Sequence, residues 1–159
     1  LKINIHEFVY DVSEKDRKII LEKFDKGEYD VLVAIRCLDE GVDVPSTKYA
    51  YFVSSSTNPR EFIQRRGRIL RKFENKTEAI VYDFMVFPPD NNEDFEVGKN
   101  LIKKELPRFA EFSMNALNCM EAREKIYDYI EKYNLEYWLF KKPYDVYFEY
   151  KEGEMNEED

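Results

Sequence analysis

Val31-Leu32-Val33-Ala34-Ile35 is an unbroken run of five apolar residues. A run this short, without alternation, is the mark of a strand covered on both faces, as strands of a parallel sheet are. A parallel neighbour cannot be reached through a tight hairpin, so the chain around it must cross over, usually through a helix. The residues before it supply that crossover. Ile3 to Tyr10 is rich in β-branched and aromatic types and reads as a strand. Ser13-Glu14-Lys15-Asp16 then caps a helix running to about Lys26, with Ile19, Ile20, Lys23 and Phe24 at helical spacing and Gly27 as its stop.

Tyr49 to Ser54 is a further apolar strand, and Ala79 to Phe84 is the final one before Pro88-Pro89-Asp90 breaks the pattern. Between them, Ser54-Ser55-Ser56-Thr57 reads as turn chemistry, with Ser55 and Thr57 also candidates for a nucleic-acid contact. The order β, α, β, loop, β, α, β implies right-handed crossovers and a three-layer α/β domain over residues 1–87. From Glu93 the period turns helical. Leu101, Ile102, Leu106, Phe109 and Phe112 mark one or two helices interrupted at Pro107, and Met120 to Tyr133 marks another. Tyr137, Trp138, Leu139 and Phe140 are expected to pack this extension of residues 88–150, with base stacking as the alternative. Tyr144 to Tyr150 alternates like a strand, and the acidic residues 151–159 are expected to be a disordered tail.

Phe62 to Arg71 is the most chemically pointed stretch. Wound as a helix at about 100° per residue, it gathers Gln64, Arg68 and Arg71 within an arc of roughly 60°. Phe62, Ile63, Ile69, Leu70 and Phe73 gather opposite, and Arg66 falls among them. Asn58-Pro59-Arg60-Glu61 supplies a capping residue, a proline at the first helical position and a glutamate at the third. Two permanently charged, planar guanidinium groups on one side suit a polyphosphate, although a solvated basic helix face has the same pattern.

Gln64-Arg65-Arg66-Gly67-Arg68-Ile69-Leu70-Arg71 resembles the Q-x-x-G-R-x-x-R motif that closes the second RecA-like motor domain of superfamily 2 helicases. The resemblance implies that Arg68 and Arg71 are arginine fingers for the terminal phosphates of ATP, with Gln64 near the phosphates or the hydrolytic water. The stretch from Val33 to Pro45 resembles motif V of the same family. It implies close backbone approach to the nucleotide at Gly41 and a hydrogen bond accepted by Asp43 from ribose or bound water. Arg36 stands where many members have a small or acidic residue, after Ile35 in place of a hydroxyl. Arg36 and Arg65 are therefore candidates for contact with nucleic-acid phosphate. The E-G-x-D-x-P pattern of Glu40 to Pro45 is similar to the repair-helicase and restriction-enzyme branch, which implies DNA, double-stranded by preference, with RNA left open. Family members open this domain with one more strand and helix, so the chain is expected to begin inside it.

A motor of this kind also needs a glycine-rich loop ending in Lys-Ser or Lys-Thr and an acidic pair for Mg2+. The five glycines form no G-x-x-x-x-G-K spacing. The resemblance therefore implies half of an ATP site, with ATP and Mg2+ held mainly by an N-terminal RecA-like domain, and no turnover by this chain alone. Composition bears on the rest. A net charge of -8 argues against wholesale nucleic-acid packaging, while Asn58 to Lys76 is locally basic. Cys37, Cys119 and the single histidine His6 have no metal-ligand spacing, so no metal site is expected. With no signal peptide and no apolar run of membrane length, the expected setting is cytoplasmic. Two alternatives from other classes stand beside the motor: an ATP-independent nucleic-acid-binding module using the basic helix, and a nuclease, for which no D-(E/Q)-x-K constellation is found.

Overall fold

The computed structural model describes residues 2–9, 11–35, 43–53, 56–89 and 94–156. The elements in order are β1 (Ile5–Val9), α1 (Glu14–Asp25), β2 (Val31–Ile35), β3 (Tyr49–Phe52), α2 (Pro59–Ile69), β4 (Ile80–Asp83), α3 (Phe95–Met114), α4 (Cys119–Glu124), α5 (Tyr127–Lys132), a 3-10 helix (Glu136–Phe140) and α6 (Pro143–Asn156). The class is the expected one, α/β with parallel strands. The chain divides into two compact units, one of residues 1–50 and 64–81, the other of residues 51–63 and 82–159. Among the described residues no helix is long and apolar enough to cross a membrane.

In the first unit β1 and β2 run parallel, with Ile5 opposite Val31 and Val9 opposite Ile35. The helix α1 makes the crossover. Its N-cap Ser13 accepts a hydrogen bond from the Asp16 amide, and Gly27 takes the left-handed conformation (φ +75°) just past its end. Phe8, Ile20 and Val44 form the buried centre, with Leu21, Phe24, Leu32 and Ala34 packed around them. Arg17 donates to the Val12 carbonyl at 3.0 Å and lies over the Phe8 ring. One expectation fails here. Leu32 and Ala34 point into the core, but Val31, Val33 and Ile35 are exposed, as is Ile5 on β1. The unbroken apolar run is therefore covered on one face only among the described residues, because α1 lies on a single side of the ladder.

The β3–β4 ladder is also parallel. The Ile80 amide donates to Lys48 at 2.7 Å and the Phe84 amide to Phe52 at 3.1 Å, so both partners advance together.

The second unit is built around α3. Ile102 and Leu106 from α3 meet Ile126, Ile130, Tyr133, Leu135 and Leu139, and Trp138 packs against them. Phe112 meets Phe52 and Phe62 edge-on, at ring-centre distances of 5.4 and 6.0 Å. Pro107 does not interrupt α3, which runs through it as one helix. A proline there forfeits one backbone bond, and the burial of Leu106, Arg108 and Ala110 beside it outweighs that loss. The next helical pattern, in contrast, breaks between α4 and α5 at Lys125 and Ile126, with Ile126 turned into the core. Tyr137 and Phe140 are exposed, so only half of that aromatic run packs.

The segment expected to alternate as a strand, Tyr144 to Tyr150, is helical. Pro143 at the first position presets the backbone angle and needs no amide partner, and Val146 is the residue that buries. The helix α6 continues to Asn156, into the residues expected to be a disordered tail. Once nucleated, Lys, Glu and Met propagate a helix at little cost.

Arg108 on α3 is the buried charge among the described residues of this unit, its side chain 4% exposed. Its Nε donates to Asp83 at 2.8 Å, and Nη2 donates to Glu105 at 2.7 Å and to the Phe84 carbonyl at 3.1 Å. Burial pushes the Asp83 carboxyl above the usual carboxylate range. The charge and hydrogen bond of Arg108 pull the other way, and the neighbouring Glu105 adds to the rise.

Candidate functional site

The basic helix starts as its sequence implies. The Asn58 side-chain oxygen accepts from the Arg60 amide at 3.1 Å, its side-chain amide donates to Glu61 at 3.3 Å, and Ser56 accepts from the Asn58 amide at 3.0 Å. Ser56 thus orders the turn, as expected of the serine cluster to which it belongs. Pro59, Phe62 and Ile69 are the helix residues that bury, whereas Leu70 and Phe73 are exposed. The apolar stripe is shorter than expected because α2 ends at Ile69.

That end changes the geometry of the arginine pair. Arg68 lies in the last turn of α2, and Arg71 lies two residues beyond it. They are not one turn apart on a single helix face. They nevertheless converge: Arg68 Nη1 is 3.5 Å from Asp43 Oδ1, and Arg71 Nη1 pairs with Asp43 Oδ2. Arg68 is largely covered (16% exposed), whereas Arg71 is open (57%). One guanidinium is therefore held by its surroundings and the other is available to a ligand.

Asp43 is placed by its neighbours. Val44 is buried beside Phe8 and Ile20. Ser46 Oγ donates to Asp25 at the end of α1. The Thr47 amide donates to the Val44 carbonyl at 3.2 Å, closing a turn. From the other side Lys76 reaches in, its ammonium donating to the carbonyls of Pro45 at 2.9 Å, Arg71 at 3.3 Å and Ile69. Burial lowers the Lys76 ammonium from the usual lysine range. The turn that returns Lys76 has Asn75 at positive φ (60°), a conformation asparagine tolerates better than most residues. Sequence reasoning missed Lys76. The signal available for it was an asparagine-lysine pair shortly after a helix that has no glycine stop.

Of the other site candidates, Gln64 and Thr57 are exposed and Arg65 is half-buried. Gly41, Arg36 and Ser55 lie outside the described residues. No group of three or more His, Cys, Asp or Glu side chains that could hold a metal occurs among the described residues.

The arrangement is thus a pair of guanidinium groups gathered on one carboxylate. It can bind an anion of higher charge, because planar forked donors pair with phosphate oxygens as well as with a carboxylate.

The segment that carries this site is similar to parts of known proteins. A DNA 3'-5' translocase, XPB2, of Sulfurisphaera tokodaii is 48% identical over 71 residues, which cover 45% of this chain and 16% of that protein. The ATP-dependent DNA helicase MPH1 of Debaryomyces hansenii is 37% identical over 65 residues, 41% of this chain and 6% of that protein. The chain thus matches only a small part of the length of these relatives. Among solved structures, DEAD-box helicase domain 2 of Mss116p bound to an RNA duplex gives a TM-score of 0.41 at 16% identity, over 89% of this chain and 65% of that one. Residues 1–73 match the family described as helicase conserved C-terminal domain. That match spans the segment that carries β1, β2, Asp43, Arg68 and Arg71.

Proposed function

We propose that this chain is the second RecA-like motor domain of an ATP-dependent DNA helicase or translocase, and that Arg68 and Arg71 are its arginine fingers. The observation that carries the reading is the convergence of both arginines on Asp43. Asp43 compensates the two charges and fixes their direction, so little reorganisation is needed when a phosphate takes its place. Arg71, the more open of the two, is the group that engages the terminal phosphate. Arg68 backs it from the last turn of α2. Gln64, exposed one turn before Arg68, orients the attacking water. Gly41 and Asp43 border the nucleotide, while Arg36, Arg65, Ser55 and Thr57 line the nucleic-acid path.

The donor set fits ATP, since two guanidinium groups suit the outer phosphates. ATP supplies the phosphoryl transfer to water that drives the motor, and its phosphate loop and Mg2+ come from an N-terminal RecA-like domain. This chain alone is inactive in that scheme. The likeness to a DNA translocase and a DNA helicase supports DNA as the track, and the E-G-x-D-x-P pattern of Glu40 to Pro45 favours double-stranded DNA.

The test is Arg71→Ala in the full-length protein. Loss of one such charge is expected to lower DNA-stimulated ATP turnover about 100-fold or more, with DNA binding largely intact. Equal turnover in parent and variant overturns the motor reading. Unchanged turnover together with weakened binding of a shallower salt dependence favours a nucleic-acid-binding module that uses no nucleotide.

A further inference from the structure

Arg71 has a weakness that Arg68 lacks. Arg68 is carried by a helix whose hydrogen bonds fix its backbone, whereas Arg71 lies past the last turn, where no ladder sets the direction of the chain. Something outside the helix has to orient it.

The carbonyls at this helix end point onto one ammonium. Lys76 Nζ donates to Ile69, the last residue of α2, and to Arg71 itself at 3.3 Å. Its third bond goes to Pro45 at 2.9 Å, two residues after the carboxylate on which the arginines converge. An ammonium has three hydrogens, and three acceptors from two separate segments use all of them. The acceptors are backbone atoms, so what Lys76 fixes is the course of the chain on both sides of the Arg71–Asp43 pair. A cation is also the right group at the negative end of a helix.

We infer that Lys76 is a positioning residue for nucleotide hydrolysis: it ties the helix end at Ile69 and Arg71 to the Pro45 turn and so sets the register in which Arg71 meets phosphate. The inference rests on the reading of Arg71 as a phosphate-binding arginine. Burial lowers the Lys76 ammonium from the usual lysine range, as expected of a cation whose water has been partly replaced by peptide carbonyls. Lys76 acts on the site through the backbone only; no contact of its own with nucleotide is required.

A neutral side chain of similar length, Lys76→Met, leaves three carbonyls without a donor and Arg71 without its tether. Misplacement of a reacting group by about 1 Å costs up to about 100-fold in rate. The expected loss of DNA-stimulated ATP turnover in the full-length protein is therefore roughly 10- to 100-fold.

The decisive experiment is a double-mutant cycle of Lys76→Met with Arg71→Ala, read as kcat, with the melting temperature of each variant measured alongside. If Lys76 works through Arg71, Lys76→Met slows the parent but slows the Arg71→Ala protein no further. Independent multiplication of the two losses, or parental turnover in Lys76→Met, overturns the inference. If Arg71→Ala alone has no effect, the reading of Arg71 itself has failed, which is a different result. Should Lys76→Met not fold, Lys76→Gln and Lys76→Arg enter the same cycle, with the same non-additivity expected.

Discussion

Arg108 offers a demanding check on how the second unit is held together. Its guanidinium is buried between Asp83 and Glu105, whose side chains are 11% and 17% exposed, and it also closes on the Phe84 carbonyl. Replacing it by methionine keeps much of the volume and removes the charge. Two carboxylates then face each other in a partly dry site with no counter-charge. Breaking a buried pair from one side costs about 3–5 kcal/mol, a large share of the roughly 5–15 kcal/mol that a domain has to lose. Urea unfolding followed by the fluorescence of Trp138, the one tryptophan and a neighbour of the unit's core, reads the change directly.

The pH dependence sharpens the test. The folded-state pKa of Asp83 is raised, so its contribution to stability is present below its unfolded pKa and is lost as pH rises through the folded value. Without Arg108 the pKa rises further, because the attraction that opposed the rise is gone. The penalty of Arg108→Met is therefore expected to be full near neutrality and to shrink as the solution is acidified. A loss under about 1 kcal/mol, or a gap that stays constant from neutral to mildly acid pH, would refute this account of the buried triad.

Two further outcomes follow from the first unit. Asp43→Asn removes a partly exposed ion pair, worth no more than about 1 kcal/mol, so the melting temperature should hardly move. In the full-length protein ATP turnover should fall all the same, because both arginines lose the group that aims them, and parental turnover would count against Asp43 in that role. Gly27→Ala should destabilise the fold by about 1–2 kcal/mol in chemical denaturation, from left-handed strain alone, since an added Cβ meets nothing within 4 Å. A neutral result would mean the turn relaxes to negative φ.

The α/β order and the start of each early helix could be read from sequence because local chemistry determines them. Ser13 and Asn58 cap their helices wherever those helices sit, and Gly27 stops one by its own conformational freedom. Burial was harder to read. Val31 to Ile35 is apolar throughout, but whether both faces are covered depends on what lies across the ladder, and that is not written in five residues. The end of α2 was likewise set from afar, by an ammonium seven residues downstream of Ile69, so Arg71 was placed on a helix that does not reach it. At Tyr144 to Tyr150, alternation suggested a strand, whereas Pro143 and a single buried valine favoured a helix. The convergence of Arg68 and Arg71 on Asp43 joins residues 25 and 28 positions apart, a relation that only the folded chain supplies.

The uncovered side of the β1–β2 ladder has a practical corollary. Ile5, Val31, Val33 and Ile35 present a greasy strip to water, and a two-stranded ladder keeps open hydrogen-bonding rims beside it. A net charge of -8 opposes association through that strip by mutual repulsion. That repulsion fades over a distance of about 10 Å at 0.1 M salt and over less as salt is added. Dilute buffers of low ionic strength should therefore keep this chain dispersed, and concentrated salt should drive it together.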